Sequence, residues 1–214
     1  MELNDITYGN PTKNQLDFIK NKSLVDDIFD SLLNLDMPKN DSELVKKELN
    51  EIVNNLNILG QPKNEDFLKT YMAYDRNLIQ SLKGIFLEEG IEIKELVTQI
   101  VLDIQSLIYK IKFYYQRPRP FQLAEYYKLK LFPYKSFTAH TPSFPSGHTI
   151  QAIVILTVIG NKYPNKFDLC MELIKDIALS RVYLGVHYPS DNDASEIIAD
   201  VILKHPNFTK KYGI

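Results

Sequence analysis

The sequence predicts an all-α fold. Strand signals are scarce, apolar residues recur at helical spacing through most of the chain, and prolines and glycines punctuate it at helix-length intervals. A single domain over residues 1–214 follows, with its motif-bearing part at about 92–204 and the helices of residues 1–90 packed on it.

A first amphipathic helix is expected from Asn14 to about Leu35, with Leu16, Ile19, Leu24, Ile28, Leu32 and Leu33 on its inner face and Met37-Pro38 as its break. Asn40 with Glu43 three residues later reads as a capped start, and Leu44, Leu49, Ile52, Val53 and Leu56 form the apolar face up to Leu59-Gly60-Gln61-Pro62. A third helix runs from about Asn64 to Leu87, closed by Glu89-Gly90. The fourth, about Glu92 to Gln116, has the clearest period, through Val97, Ile100, Val101, Ile104, Leu107, Ile108 and Ile111, and is expected to be central. Pro118 and Pro120 stop it. The long connection from Phe121 to Pro145 is expected to hold a short helix at Gln122–Lys130. Helices from Gly147, over about Lys166–Leu184 and over Ser190 to about Lys204 complete the chain.

Composition narrows the function classes. Hydrophobic residues make up 44% and charged residues 24%, as in a water-soluble globular protein. Cys170 is the one cysteine, which excludes an internal disulfide and a thiolate metal cluster, and its apolar neighbours suggest a packed thiol. No basic, apolar leader opens the sequence, and no stretch reaches the roughly 20 apolar residues of a membrane span, so a cytoplasmic chain is expected. Charge is uneven: residues 1–109 carry 11 Lys and Arg against 19 Asp and Glu, residues 110–214 carry 14 against 8. Between Lys110 and Lys135 seven bases face only Glu125, a compact cluster that fits a small anionic substrate better than a nucleic-acid duplex. The acidic half is assigned either to substrate selectivity or to an interface between copies of the chain.

Three stretches carry chemistry. Phe144-Pro145-Ser146-Gly147-His148-Thr149 leads out of a loop into an apolar run, so a helix starts near Ser146 or Gly147. Such a start presents unpaired N–H groups and partial positive charge to an anion. Gly147 lets the anion approach the backbone, Ser146 adds a hydroxyl and His148 a group that transfers protons near neutral pH. The bland alternative is a Pro-Ser-Gly turn capping a buried helix.

The second stretch, Lys112 to Pro120, sets Lys112 and Arg119 seven residues apart at a helix end, a point charge and a planar fork suited to a tetrahedral anion. Lys110 and Arg117 have the same spacing two residues earlier, and bases at a helix end also simply oppose its dipole. In the third, Arg181 closes a helix with Gly185 as its stop, His187 follows, and Asp191 opens the next helix. An aspartate that holds one imidazole nitrogen leaves the other as an oriented nucleophile or base.

Lys-x6-Arg-Pro, Pro-Ser-Gly-His and Ser-Arg-x5-His-x3-Asp, in this order over about Ile108 to Ile202, resemble the type 2 phosphatidic acid phosphatase (PAP2) superfamily. That group includes soluble bacterial class A acid phosphatases, membrane lipid phosphatases and vanadium-dependent haloperoxidases, and the soluble branch is the most similar. The resemblance implies an acid phosphatase-like hydrolase acting on a phosphate monoester or diphosphate through a phosphohistidine intermediate, with no metal or other cofactor. His187 would be the nucleophile, Asp191 its orienting partner and His148 the general acid. Lys112, Arg119, Ser146, Gly147 and Arg181 would bind phosphate. Vanadate would act as an inhibitor, or as the cofactor if the chain is a haloperoxidase. A phosphate-binding protein without turnover is the alternative outside enzymes. Residues 1–90 resemble nothing familiar. His140 has no motif around it, and His205 is expected at the surface or as a cap.

Overall fold

The computed structural model describes residues 2–214, and among these the chain is helical without strands. Ten α-helices follow in order: α1 (Lys13–Lys20), α2 (Glu43–Leu59), α3 (Glu65–Arg76), α4 (Leu78–Glu88), α5 (Lys94–Tyr115), α6 (Pro120–Ala124), α7 (Gly147–Lys162), α8 (Phe167–Tyr183), α9 (Pro189–Leu203) and α10 (Pro206–Tyr212). Short 3-10 turns lie between several of them.

The expected first helix is two pieces. Asn21 leaves α1 in an extended conformation, and Ser23 then bonds the Asp26 carboxylate through both its amide and its hydroxyl, starting a 3-10 segment over Asp26–Leu32. Leu16, assigned to the inner face, is exposed, whereas Leu32 is buried. The expected third helix also breaks, at Asn77. Its backbone is extended (φ −162°), and its side-chain oxygen accepts from Gln80 N at 3.0 Å, capping α4. The cap of α2 is Ser42, not Asn40. The Asn40 amide instead donates to the carbonyls of Leu3 and Ile6, each at 2.9 Å. In the long connection the short helix is α6, which starts at Pro120 and has ended before Lys128 turns left-handed. A further helix, α10, was not expected. His205 caps it, its Nδ1 accepting from Asn207 N at 3.2 Å, and the side chain is buried rather than superficial.

The central element is α7, not α5. Ala152, Val154, Ile155, Leu156, Val158 and Ile159 are all buried, so α7 is apolar all round, as a helix enclosed by others must be. It packs against α8, α9 and α5. Helix α5 buries one face but leaves Leu102 and Tyr114 exposed. Cys170 is buried on α8 beside Gly160 of α7, as its apolar neighbours implied. A smaller core joins α2, through Val45, Leu49 and Ile52, to Leu123, Val182 and Tyr188. Helix α8 stops at Gly185, whose φ of +75° suits glycine and whose missing Cβ would lie 3.2 Å from Pro133 Cα.

The uneven charge is resolved inside the molecule. Lys110 pairs with Asp26, Arg117 with Glu48, Lys166 with Glu89, Arg181 with Asp75, His205 with Asp27 and Lys211 with Asp103. Each pair joins a base of residues 110–214 to an acid of residues 1–109.

Candidate active site

The turn between α8 and α9 fixes the third motif. Past Gly185, the amides of Val186 and His187 both return to the Arg181 carbonyl at 3.2 Å, which sets the histidine beside the end of α8. Asp191 is the third residue of α9, and its Oδ2 accepts from the amide of Tyr188, the residue before the helix, at 3.0 Å. The same oxygen lies 3.0 Å from His187 Nδ1 and accepts from Ser143 Oγ at 2.5 Å. Its partner oxygen, Oδ1, accepts from Arg117 Nη1 at 2.6 Å. Although burial opposes it, the Arg117 guanidinium and these donors hold the Asp191 carboxyl well below the usual carboxylate range. An ionised Asp191 makes Nδ1 of His187 the protonated nitrogen and leaves Nε2 with a lone pair.

That lone pair faces Arg119, whose Nη1 lies 2.9 Å from it and also donates to the Val186 carbonyl at 2.7 Å. Arg119 Nε donates to the Thr141 carbonyl at 2.8 Å. Burial, with Arg119 close by, holds the His187 imidazole well below its ordinary value, so it stays neutral. Lys112, in the last turn of α5, is buried and donates to the carbonyls of Pro142 (2.8 Å), Ser143 (3.3 Å) and Pro145 (2.5 Å). Burial, reinforced by Arg119, pushes its ammonium well below the usual lysine value.

The structure separates the two possible registers of the second motif. Lys112 and Arg119 line the cavity with His187. Lys110 turns away to Asp26 at 2.7 Å. Arg117 lies wholly buried behind Asp191, over the Tyr188 ring at 3.9 Å, and reaches Glu48 Oε2 at 3.3 Å.

Arg181 is held by Asp75 on α3, with Nη2 2.7 Å from Oδ1, and its Nε and Nη1 are buried with no partner among the described residues. Buried donors left unpaired cost about 1–3 kcal/mol each, which a bound anion would relieve. Asp75 also accepts from Ser136 Oγ (2.7 Å), Phe137 N (2.7 Å) and Thr138 Oγ1 (3.0 Å). Burial opposes its ionisation, but Arg181 and these donors hold its pKa down to about 2.

Helix α7 begins at Gly147, and its first turn supplies the remaining groups. Gly147 and half-buried His148 line the cavity, and the His148 side chain makes no hydrogen bond among the described residues. Burial, then the Arg181 charge, holds the His148 imidazole well below its usual value. A Cβ on Gly147 would point at Ile108 and the Lys112 stem, each 3.5 Å away. Ser146 is fully buried outside the cavity lining, and its oxygen caps the helix, accepting from Thr149 N at 3.4 Å and Thr149 Oγ1 at 2.8 Å. His140, by contrast, does not line the cavity. The space so enclosed is about 290 Å³, and no carboxylate is among its lining residues. Among the described residues no three His, Cys, Asp or Glu side chains gather as metal ligands.

This arrangement places three cations and an oriented imidazole around one small cavity at a helix start. The family model described as the PAP2 superfamily matches residues 95–204, just over half of the chain. The chain belongs to the PAP2 superfamily. In fold, this PAP2 chain is similar to the crystal structure of the first transmembrane PAP2 type phosphatidylglycerolphosphate phosphatase from Bacillus subtilis, with a TM-score of 0.52 and 18% identity, over 94% of this chain and 96% of that one. No curated protein matches. Among the described residues, no helix is long and apolar enough to cross a membrane.

Sequence reading missed Asp75, Glu48 and Ser143. Asp75 and Glu48 lie outside the segment that the PAP2 model matches, and the only signal for them was the acidic excess of residues 1–109.

Proposed function

We propose that this PAP2 chain is a phosphatase that cleaves a phosphate monoester or diphosphate through a phosphohistidine on His187, with no metal required. The observation that carries the reading is His187, held at Nδ1 by Asp191 with Nε2 turned to Arg119, in a cavity also lined by Lys112 and Arg181. A protein that only bound phosphate would need the cations but not the oriented imidazole.

The phosphoryl group sits with its oxygens toward Lys112, Arg119, Arg181 and the amide of Gly147, which stabilise the charge of the transition state. Its oxygens draw Arg119 Nη1 from His187, freeing the Nε2 lone pair. Nε2 forms the N–P bond as the P–O bond to the leaving group breaks, and His148 gives that oxygen its proton. Ionised Asp191 balances the positive imidazole. Water then attacks phosphorus and gives its proton to His148, the N–P bond breaks, and inorganic phosphate leaves.

The test is hydrolysis of an aryl phosphate by wild type and His187→Ala, in chelator, with and without vanadate. The reading expects chelator-resistant turnover that vanadate blocks and the substitution abolishes. Activity lost to chelator, or retained by His187→Ala, overturns it. Halide oxidation with added vanadate and peroxide, in place of hydrolysis, would favour the haloperoxidase reading.

A further inference from the structure

The cavity has a fourth cation that the reaction does not use. Arg76 ends α3, one residue after Asp75, and lines the same cavity as Lys112, Arg119 and Arg181. Those three are buried, whereas Arg76 is exposed at the rim. Among the described residues it makes no ion pair and no side-chain hydrogen bond. Its guanidinium lies over the Phe137 ring, 5.0 Å from the centroid, and the amide of Phe137 is itself tied to Asp75 at 2.7 Å. A stacked guanidinium is held in place without spending its N–H donors. The bland role for a base here is to oppose the dipole at the end of α3, and a base anywhere in the last turn could do that. It does not require a stacking platform or a place in the cavity wall.

The geometry points to Arg76 as a specificity-determining residue that binds a second anionic group, a phosphate beyond the one being cleaved. No carboxylate in the lining opposes such a group. The substrate class is then a phosphate compound with two phosphates close together, such as a diphosphate, in preference to a simple monoester. Arg76 also lies outside the segment that the PAP2 model matches, so this selectivity belongs to the amino-terminal part of the chain.

The inference rests on the phosphatase reading for its meaning, and its test separates the two. Binding of methylenediphosphonate, a diphosphate analogue with no P–O–P bond to cleave, and of orthophosphate is measured by calorimetry for wild type, Arg76→Ala and Arg76→Lys. Wild type is expected to prefer the diphosphate analogue. Arg76→Ala is expected to lower that preference about tenfold, the low end for charged hydrogen bonds at an exposed rim, and Arg76→Lys to restore part of it. Unchanged preference in Arg76→Ala, or an equal loss for both anions, overturns the proposal. If no compound is hydrolysed but the preference exists and depends on Arg76, the phosphatase reading fails and the second anion subsite stands.

Discussion

Asp191 Oδ2 lies 3.0 Å from His187 Nδ1 and an equal 3.0 Å from the amide of Tyr188, so one oxygen both starts helix α9 and orients the imidazole. Asp191→Asn keeps the size of the side chain but can present an N–H to Nδ1, which favours the wrong tautomer. The expected result is a fall in kcat on the order of 10³–10⁴-fold with little change in KM, by analogy with such substitutions in other Asp–His pairs. Steady-state kinetics on an aryl phosphate check it, and an unaltered kcat would remove Asp191 from the mechanism.

Arg117 and Lys110 share a spacing motif with the cavity cations but differ in burial, and stability measurements should separate them. Removing Arg117 strands Asp191 and Glu48 without their shared partner, so Arg117→Ala is expected to cost about 3–5 kcal/mol. The Lys110–Asp26 pair is about a fifth exposed on each side, and Lys110→Ala is expected to cost about 1 kcal/mol or less. Urea denaturation of the two variants gives the comparison.

Asp75 holds Arg181, so in the proposed site it would link acid stability to anion binding. Its folded pKa of about 2 lies below the unfolded value, so its stabilising contribution is complete above about pH 4 and is lost as pH falls toward 2. Asp75→Asn should lower stability at neutral pH and flatten the decline in that acid window. Because Arg181 loses its anchor, KM should rise more than kcat falls. Thermal melts from pH 2 to 7, with kinetics at neutral pH, test both halves.

In the proposed mechanism His148 must be protonated to serve the leaving group, yet its surroundings favour the neutral form. A group with a depressed pKa carries its proton only on the acid side, so kcat is expected to fall as pH rises. A bound phosphate would move that limb upward by opposing the nearby arginines. His148→Ala should lose the limb along with most of the rate, whereas a poor-leaving-group substrate should show it more steeply than an activated aryl phosphate. A pH profile of kcat for both substrates and the variant is the measurement.

Much of this was legible in the sequence because it is local. The helix starts at Gly147 and near Ser190, the stop at Gly185 and the short spacings of the three motifs are each written within a dozen residues, and they bring Lys112, Arg119, His148, Arg181 and His187 to one cavity. What escaped was weakly marked or decided at a distance. An asparagine inside a helix costs no more than about 0.7 kcal/mol, so Asn21 and Asn77 did not stand out, although both breaks are local: Ser23 bonds Asp26, and Asn77 caps α4. Asp75 meets Arg181 across 106 residues, and Glu48 meets Ser190 across 142, with no periodicity to announce either. The prominence of α5 misled for a related reason. An amphipathic stripe is easiest to read on a helix with a wet face, while the enclosed α7 has no stripe at all.

Five ion pairs, with the His205–Asp27 contact beside them, cross between the acidic and basic parts of the chain and make the two parts electrostatic complements. Two of those pairs support the site from behind: Glu48 holds Arg117, which backs Asp191, and Asp75 holds Arg181 in the cavity wall. A nick at the exposed Glu89-Gly90 turn would therefore leave two fragments of opposite charge with matching buried partners. Such fragments should reassemble from separate solutions, and phosphate binding should return only when both are present.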